Sequence, residues 1–260
     1  MSRIRSKLKN AFRAAYYFVR MLTRTNQIER GVCGAHFLDA TEGDAVRRAF
    51  DRFASLETSR ELLRALPDPG AKLQDHAALA QCPPGSLGRI YLDFMVGHGF
   101  NVDFIMEATA LFCRMRAENA QRTWYRRHIS VAHDLRHVVS GYDATPRGEV
   151  CNLCFAFGQN GHHGVAMLAL FACTLAIARG DLGFLSACLE AFRRGRAATP
   201  IDFLPWELCL DAPLASCRAA LGLRPPQRFA GHLSPDAYWS EPASGPVDAV
   251  QSLAAVLSPA

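Results

Sequence analysis

The chain has 260 residues, half of them hydrophobic and a fifth charged, with a formal net charge of +5. That is globular composition, enough for one sizeable core. The basic excess is mild, only Lys7, Lys9 and Lys72 are lysines, and no phosphate loop, zinc-finger spacing or aromatic RNA-binding signature is present, so nucleic acid is excluded as the expected partner.

In chain order, residues 1–24 ("MSRIRSKLKNAFRAAYYFVRMLTR") hold seven basic residues and no acid. Ile4, Leu8, Phe12, Ala15, Val19 and Leu22 recur every three or four places, which predicts an amphipathic helix. Such a helix either lies on an anionic membrane surface or packs on the body through that stripe. An Arg-rich, acid-free start also suits a cleaved organelle presequence, but it is no secretory signal. Residues 44–66 show helical spacing ended by "PDPG". A Pro/Gly loop then leads into a helix-like run through Phe94. Residues 104–140 read as one or two helices.

The stretch 164–179 ("GVAMLALFACTLAIAR") is apolar all round and short for a bilayer, which predicts a buried central helix. Residues 181–196 and 205–221 read as amphipathic helices, the second started by Pro205. Strand-type alternation is scarce. The expected fold is all-α, a single helical domain over 31–223 between the basic helix of 1–30 and a loose Pro/Ser/Ala-rich tail over 224–260. Nine cysteines, an odd number in apolar stretches, point to a reducing, cytoplasmic setting.

The chemistry concentrates in "HDLRHVVSGYDATPRGE". On a helix with about 100° per residue, His133, Asp134 and His137 project at 0°, 100° and about 40°, so all three share one side. Gly141, Pro146 and Gly148 can turn the chain, and Glu149, opening the next helix, can then point back at the histidines. Two imidazoles and two carboxylates suit zinc, iron, manganese or cobalt better than calcium. A solvated charged face is the competing reading.

With that motif, the sequence resembles the Coq-four family of ubiquinone (coenzyme Q) biosynthesis proteins. The family's hallmark is His-Asp, two residues, His, eleven residues, Glu, present here as His133, Asp134, His137 and Glu149. "PPGSLGRIYLDFM", the Phe155, Gln159 and Gly161 positions, and "FLPWELCLDAPLASCRAALGL" extend the likeness over roughly residues 80–223. The resemblance implies an all-helical protein, peripheral at the inner face of the cell membrane or its mitochondrial equivalent, working beside other quinone-biosynthesis proteins. It implies a divalent metal, usually zinc, on the four motif residues, and replacement of the C1 carboxylate of a polyprenylated hydroxybenzoate by hydroxyl. It also implies an isoprenoid lipid in a hydrophobic channel. Departures flank the ligands: Arg136 where relatives carry an apolar residue, Ser130 to Ala132 where an Arg-Glu pair is common, and His162-His163 for Leu-Pro.

Other residues carry smaller expectations. Arg89 and Tyr91 could meet an acidic head group; Arg136, Gln159 and His162 could sit beside the metal or substrate, as could His163. Cys151 and Cys154 form a CxxC that is a redox or ligand pair or simply small core residues, and His98 reads as a turn residue. Helix 164–178, with Leu168 and Leu175, and "GRIYLDFMVG" are the expected walls of the lipid channel. Two functions stand: a metal-dependent decarboxylase-hydroxylase, a lyase-type enzyme, and a non-catalytic scaffold holding quinone precursors. A relative acting on another prenylated or phenolic acid is the third. A second copy of the chain is a further candidate partner.

Overall fold

The computed structural model describes residues 2–25, 27–100 and 118–229. Its helices are α1 (Ser2–Thr23), α2 (Gln27–Thr41), α3 (Ala45–Ala54), α4 (Glu57–Ala65), α5 (Ala71–Gln74), α6 (His76–Gln81), α7 (Leu87–His98), α8 (Ala120–Ser140), α9 (Pro146–Asn160), α10 (His163–Ala178), α11 (Leu182–Ala197), α12 (Trp206–Cys209) and α13 (Leu214–Ala220), with a 3-10 turn at Ile201–Phe203. Among the described residues an isolated bridge joins Ser86 and Pro213, and no strand is formed. The all-α expectation holds. Residues 104–117 of the expected 104–140 helices, and Tyr238 and Trp239 of the tail, lie outside the described residues.

The buried central helix is α8, not the apolar one. Its buried positions include His128, Val131, Ala132, Leu135, Val138 and Val139, spaced three and four apart along one face. Asn119 caps its start, its side chain accepting from the Arg122 backbone N–H. Its last carbonyls are met by arginines: Arg218 donates to Val138 and Val139 at 2.7 and 3.0 Å, and Arg194 donates to Ser140 at 3.0 Å. Cations at a helix C-terminus favour both the orphan carbonyls and the helix dipole. At the other side, His128 pairs with Glu207 of α12 at 2.8 Å between stacked Trp124 and Trp206.

Two expectations are corrected. Helix α10 is only half covered: Gly164, Val165, Ala169 and Ala176 pack inward, whereas Met167, Leu170 and Ile177 are 52, 69 and 55% exposed. An all-apolar helix looks the same in sequence whether protein covers every side or one side is left bare. Helix α1 does pack on the body, but through Ala14, Tyr17 and Phe18, the last against Phe37 and Phe171. The stripe of Leu8, Phe12, Val19 and Leu22 faces outward, with Phe12 73% exposed. The first residues after Leu223 are held on the body: Glu190 accepts from the Gln227 and Arg228 backbone N–H groups, and Phe229 is buried on Tyr142.

Two expected helices are also divided. Residues 44–66 break at Ser55–Leu56, where Leu56 is extended, and 205–221 breaks before Pro213.

Helices α9 and α11 run side by side in the same direction, with Arg147 level with Phe184 and Gln159 level with Thr199. They touch backbone to backbone: a Cβ at Gly158 would overlap the Phe192 carbonyl, and one at Gly195 the Phe155 carbonyl. Helix α10 runs back between their ends and covers one side of the pair.

Candidate metal centre

The turn between α8 and α9 is built to return Glu149 to the histidines. Thr145 caps α9 by accepting from the Gly148 backbone N–H, and its own hydroxyl donates to Asp143. Pro146 occupies the first helical position, where its missing N–H costs nothing. Gly148 is required because a Cβ there would overlap the Asp143 carbonyl. The next residue is Glu149. Its carboxylate reaches to 3.8 Å from His133 Nε2 and 3.3 Å from His137 Nε2. One donor atom from each of the three lies within 4.8 Å of the others.

His137 is the inner member, 1% exposed. Its Nδ1 donates to the Tyr142 carbonyl at 2.9 Å, because a carbonyl can only accept. In the neutral ring the lone pair is therefore on Nε2, turned to Glu149 and His133. That buried Nε2 is close to Glu149 but makes no aligned hydrogen bond. An oriented, buried and unspent lone pair beside a second imidazole and a carboxylate is what a borderline cation such as zinc requires, and the donor set fits one. Phe94 of α7 stacks on the His137 ring at 5.8 Å and closes the inner side. The side chains of His133 and Glu149 are 37 and 41% exposed, so the group opens outward.

Electrostatics agree with one shared site. Burial opposes ionisation of Glu149, yet the close approach of His137 and the charges of both imidazoles hold its carboxyl at about 2. Burial works against charge on His137 too, but Glu149 and the Tyr142 carbonyl outweigh it and raise its pKa. Burial lowers His133, against the pull of Glu149.

Asp134 is buried on the same helix but is not drawn into the three-residue group. Burial raises its carboxyl above the usual range, and Tyr91 lies within its field. Tyr91 itself is fully buried, with a hydroxyl that finds no partner among the described residues.

The structure places the remaining candidates elsewhere. Arg136 is committed to Asp202 at 2.8 Å, both side chains nearly buried, and ties α8 to the 3-10 turn. Arg89 lies on the outer side of α7, bonded to the Ala80 carbonyl and near Asp93. Gln159 bridges α9 to the Thr199 carbonyl and the Ile201 N–H. His162 caps α10, its Nδ1 accepting from Gly164 and Val165. On a helix rising about 1.5 Å per residue, Gln159 sits roughly 15 Å from Glu149, and His162 follows the far end of that helix, so neither joins the group around Glu149. His98 ends α7 just before Gly99, as a turn residue would. The expected channel walls also part company: α7 packs on α6, α8 and α13, and α10 on α2, α9 and α11. Phe94 and the Tyr142 carbonyl were missed, the second because no side-chain pattern marks a backbone acceptor.

The family model described as "Coenzyme Q (ubiquinone) biosynthesis protein Coq4" matches residues 5–227, extending the likeness back through the N-terminal helices. The mitochondrial ubiquinone biosynthesis protein coq4 of Botryotinia fuckeliana is 26% identical over 183 residues, covering 70% of this chain and 62% of that protein. The namesake of Phaeosphaeria nodorum is 24% identical over 176 residues, 68% of this chain and 59% of that protein. The chain thus spans about three fifths of the length of the curated relatives it matches. In fold, it is similar to the crystal structure of a Nostoc punctiforme protein assigned to ubiquinone biosynthesis, with a TM-score of 0.61 and 18% identity, covering 82% of this chain and 98% of that one.

Proposed function

Because the chain belongs to the Coq4 family of coenzyme Q (ubiquinone) biosynthesis proteins, we propose that it acts in ubiquinone biosynthesis on a polyprenylated hydroxybenzoate, replacing its C1 carboxylate by hydroxyl. The observation that carries the site is the pinned His137, its free Nε2 facing His133 and Glu149. These three, with Asp134 as the fourth, would hold the cation, zinc foremost. A divalent ion there would neutralise the ring carboxylate and orient C1.

The chain's own residues do the rest. Phe94 and Tyr91 keep water from the inner side. The opening between His133 and Glu149 leaves a position for the substrate carboxylate, as catalytic metal sites do. Asp134, whose carboxyl burial raises, would release its proton on joining the cation, because a ligating carboxylate is deprotonated.

The test is direct: metal-loaded full chain, the prenylated acid and isotopically labelled dioxygen, followed by mass spectrometry. The expected product has lost carbon dioxide and carries label in the C1 hydroxyl. Substrate bound tightly and returned unchanged would leave the scaffold reading, which the bare apolar side of α10 favours.

We further propose a peripheral seat on an anionic membrane surface, beside other quinone-biosynthesis proteins. No helix among the described residues is long and apolar enough to cross a membrane. The outward stripe of α1 instead offers Leu8, Phe12, Val19 and Leu22 on a helix rich in arginine and lysine. Each basic residue near such a surface contributes on the order of 1 kcal/mol, and salt screens it. Phe12→Asp and Val19→Asp should weaken binding to anionic vesicles at least tenfold in a flotation assay and leave helicity unchanged. Equal binding by variant and parent would remove α1 from the interface.

A further inference from the structure

The CxxC of α9 acquires two partners in the fold. Donor sulfurs of Cys154 on α9, Cys173 on α10 and Cys188 on α11 all lie within 4.8 Å of one another. Cys151, one turn before Cys154, is within hydrogen-bonding reach of Cys188, which also reaches Cys154 and Cys173. We propose that Cys151, Cys154, Cys173 and Cys188 form a second cation site, a thiolate cage for a soft divalent ion of the zinc class that joins α9, α10 and α11.

The geometry is close to what the ion needs. Tetrahedral zinc–sulfur bonds of about 2.3 Å put neighbouring sulfurs about 3.8 Å apart, inside the 4.8 Å within which the sulfurs of Cys154, Cys173 and Cys188 already lie. All four are free thiols. Three are buried, while Cys173 is partly exposed and gives a route in. An all-sulfur shell selects a soft ion over magnesium or calcium. Arg147, whose charge is felt at Cys151 and Cys188, offsets part of the negative charge of bound thiolates.

Close packing alone does not call for this set. Ala187, Ala191, Gly158 and Gly195 already let α9 and α11 approach. Nor is it an extension of the His133–His137–Glu149 group: Glu149 and Cys151 are two residues apart and project about 200° apart around α9, on opposite sides.

Cobalt(II) distinguishes the two centres, because only thiolate ligands give an intense sulfur-to-cobalt charge-transfer band in the near ultraviolet. Reduced full-length chain titrated with cobalt should show that band and bind about two equivalents. His137→Ala should keep the band, and Cys188→Ala should lose it together with about one equivalent. Cys173→Ala, at the partly exposed position, repeats the test should Cys188→Ala fail to fold. Cobalt bound by the parent chain without the charge-transfer band would overturn the proposal, as would an undiminished band in folded Cys188→Ala or Cys173→Ala.

Discussion

His137→Ala should strip the cation from the His133–Glu149 group while leaving the helices standing. In the proposed centre the imidazole is both ligand and anchor: Nδ1 is tied to the Tyr142 carbonyl, and Nε2 faces the other donors. Loss of a partner that only orients a metal ligand costs 10–100-fold in affinity. Removing the ligand itself should exceed that range. The cost to folding is smaller, about 1–3 kcal/mol for leaving a buried acceptor unsatisfied. Metal analysis after dialysis, with circular dichroism on the same sample, reads both effects. A variant that retains the parent's full metal content at this site would refute the assignment. Acidification should act in the same direction, since protons compete for both imidazoles and the carboxylate.

Arg126→Ala should be the most destabilising single change among the surface-near ion pairs. Arg126 on α8 makes paired hydrogen bonds of 2.6 and 2.7 Å to Glu42 after α2, and others of 2.6 and 2.9 Å to Glu118. The three side chains are 13, 9 and 20% exposed, so solvent does little to screen the charges. Removing the cation leaves two carboxylates facing each other in a poorly hydrated place. Breaking a buried pair in this way costs about 3–5 kcal/mol. For a chain of this size that lowers Tm by roughly 10 °C. Calorimetry of Arg126→Ala beside Arg126→Lys checks it, because lysine keeps the charge but loses the fork that meets a carboxylate with two bonds. A change in Tm of less than about 2 °C in Arg126→Ala would mean the carboxylates find other partners.

Much of this was legible in residue order. Helical spacing predicts α1 and α11, and the His-Asp-x-x-His pattern with a Gly/Pro turn predicts a following helix that brings Glu149 close, because helix geometry and a tight turn are local matters. What failed was non-local. The facing of α1 and α10 depends on which side meets Phe37, Phe171 or Ala40, and a one-dimensional stripe does not say what lies opposite. Arg136, Gln159 and His162 look functional as polar residues near a motif, yet Arg136 and Gln159 are consumed by distant groups and His162 by capping its own helix. The "WELC" and "CRAAL" segments illustrate the converse: Glu207 and Arg218 touch no ligand but hold α8 from both sides. Cys173 and Cys188 join the CxxC only because α10 folds back over the pair of α9 and α11.

The donors of the metal group come from two helices. His133 and His137 belong to α8, which Arg218, Arg194 and Glu207 clamp, whereas Glu149 belongs to α9, which is welded backbone to backbone onto α11. A cation bound there stitches a seam. By mass action, whatever binds the closed seam and not the parted one deepens the folded state by RT ln(1 + [L]/Kd), about 2.7 kcal/mol at a hundredfold excess over Kd. For an ion that binds as proposed, the chain's resistance to heat and proteolysis becomes a readout of free metal concentration.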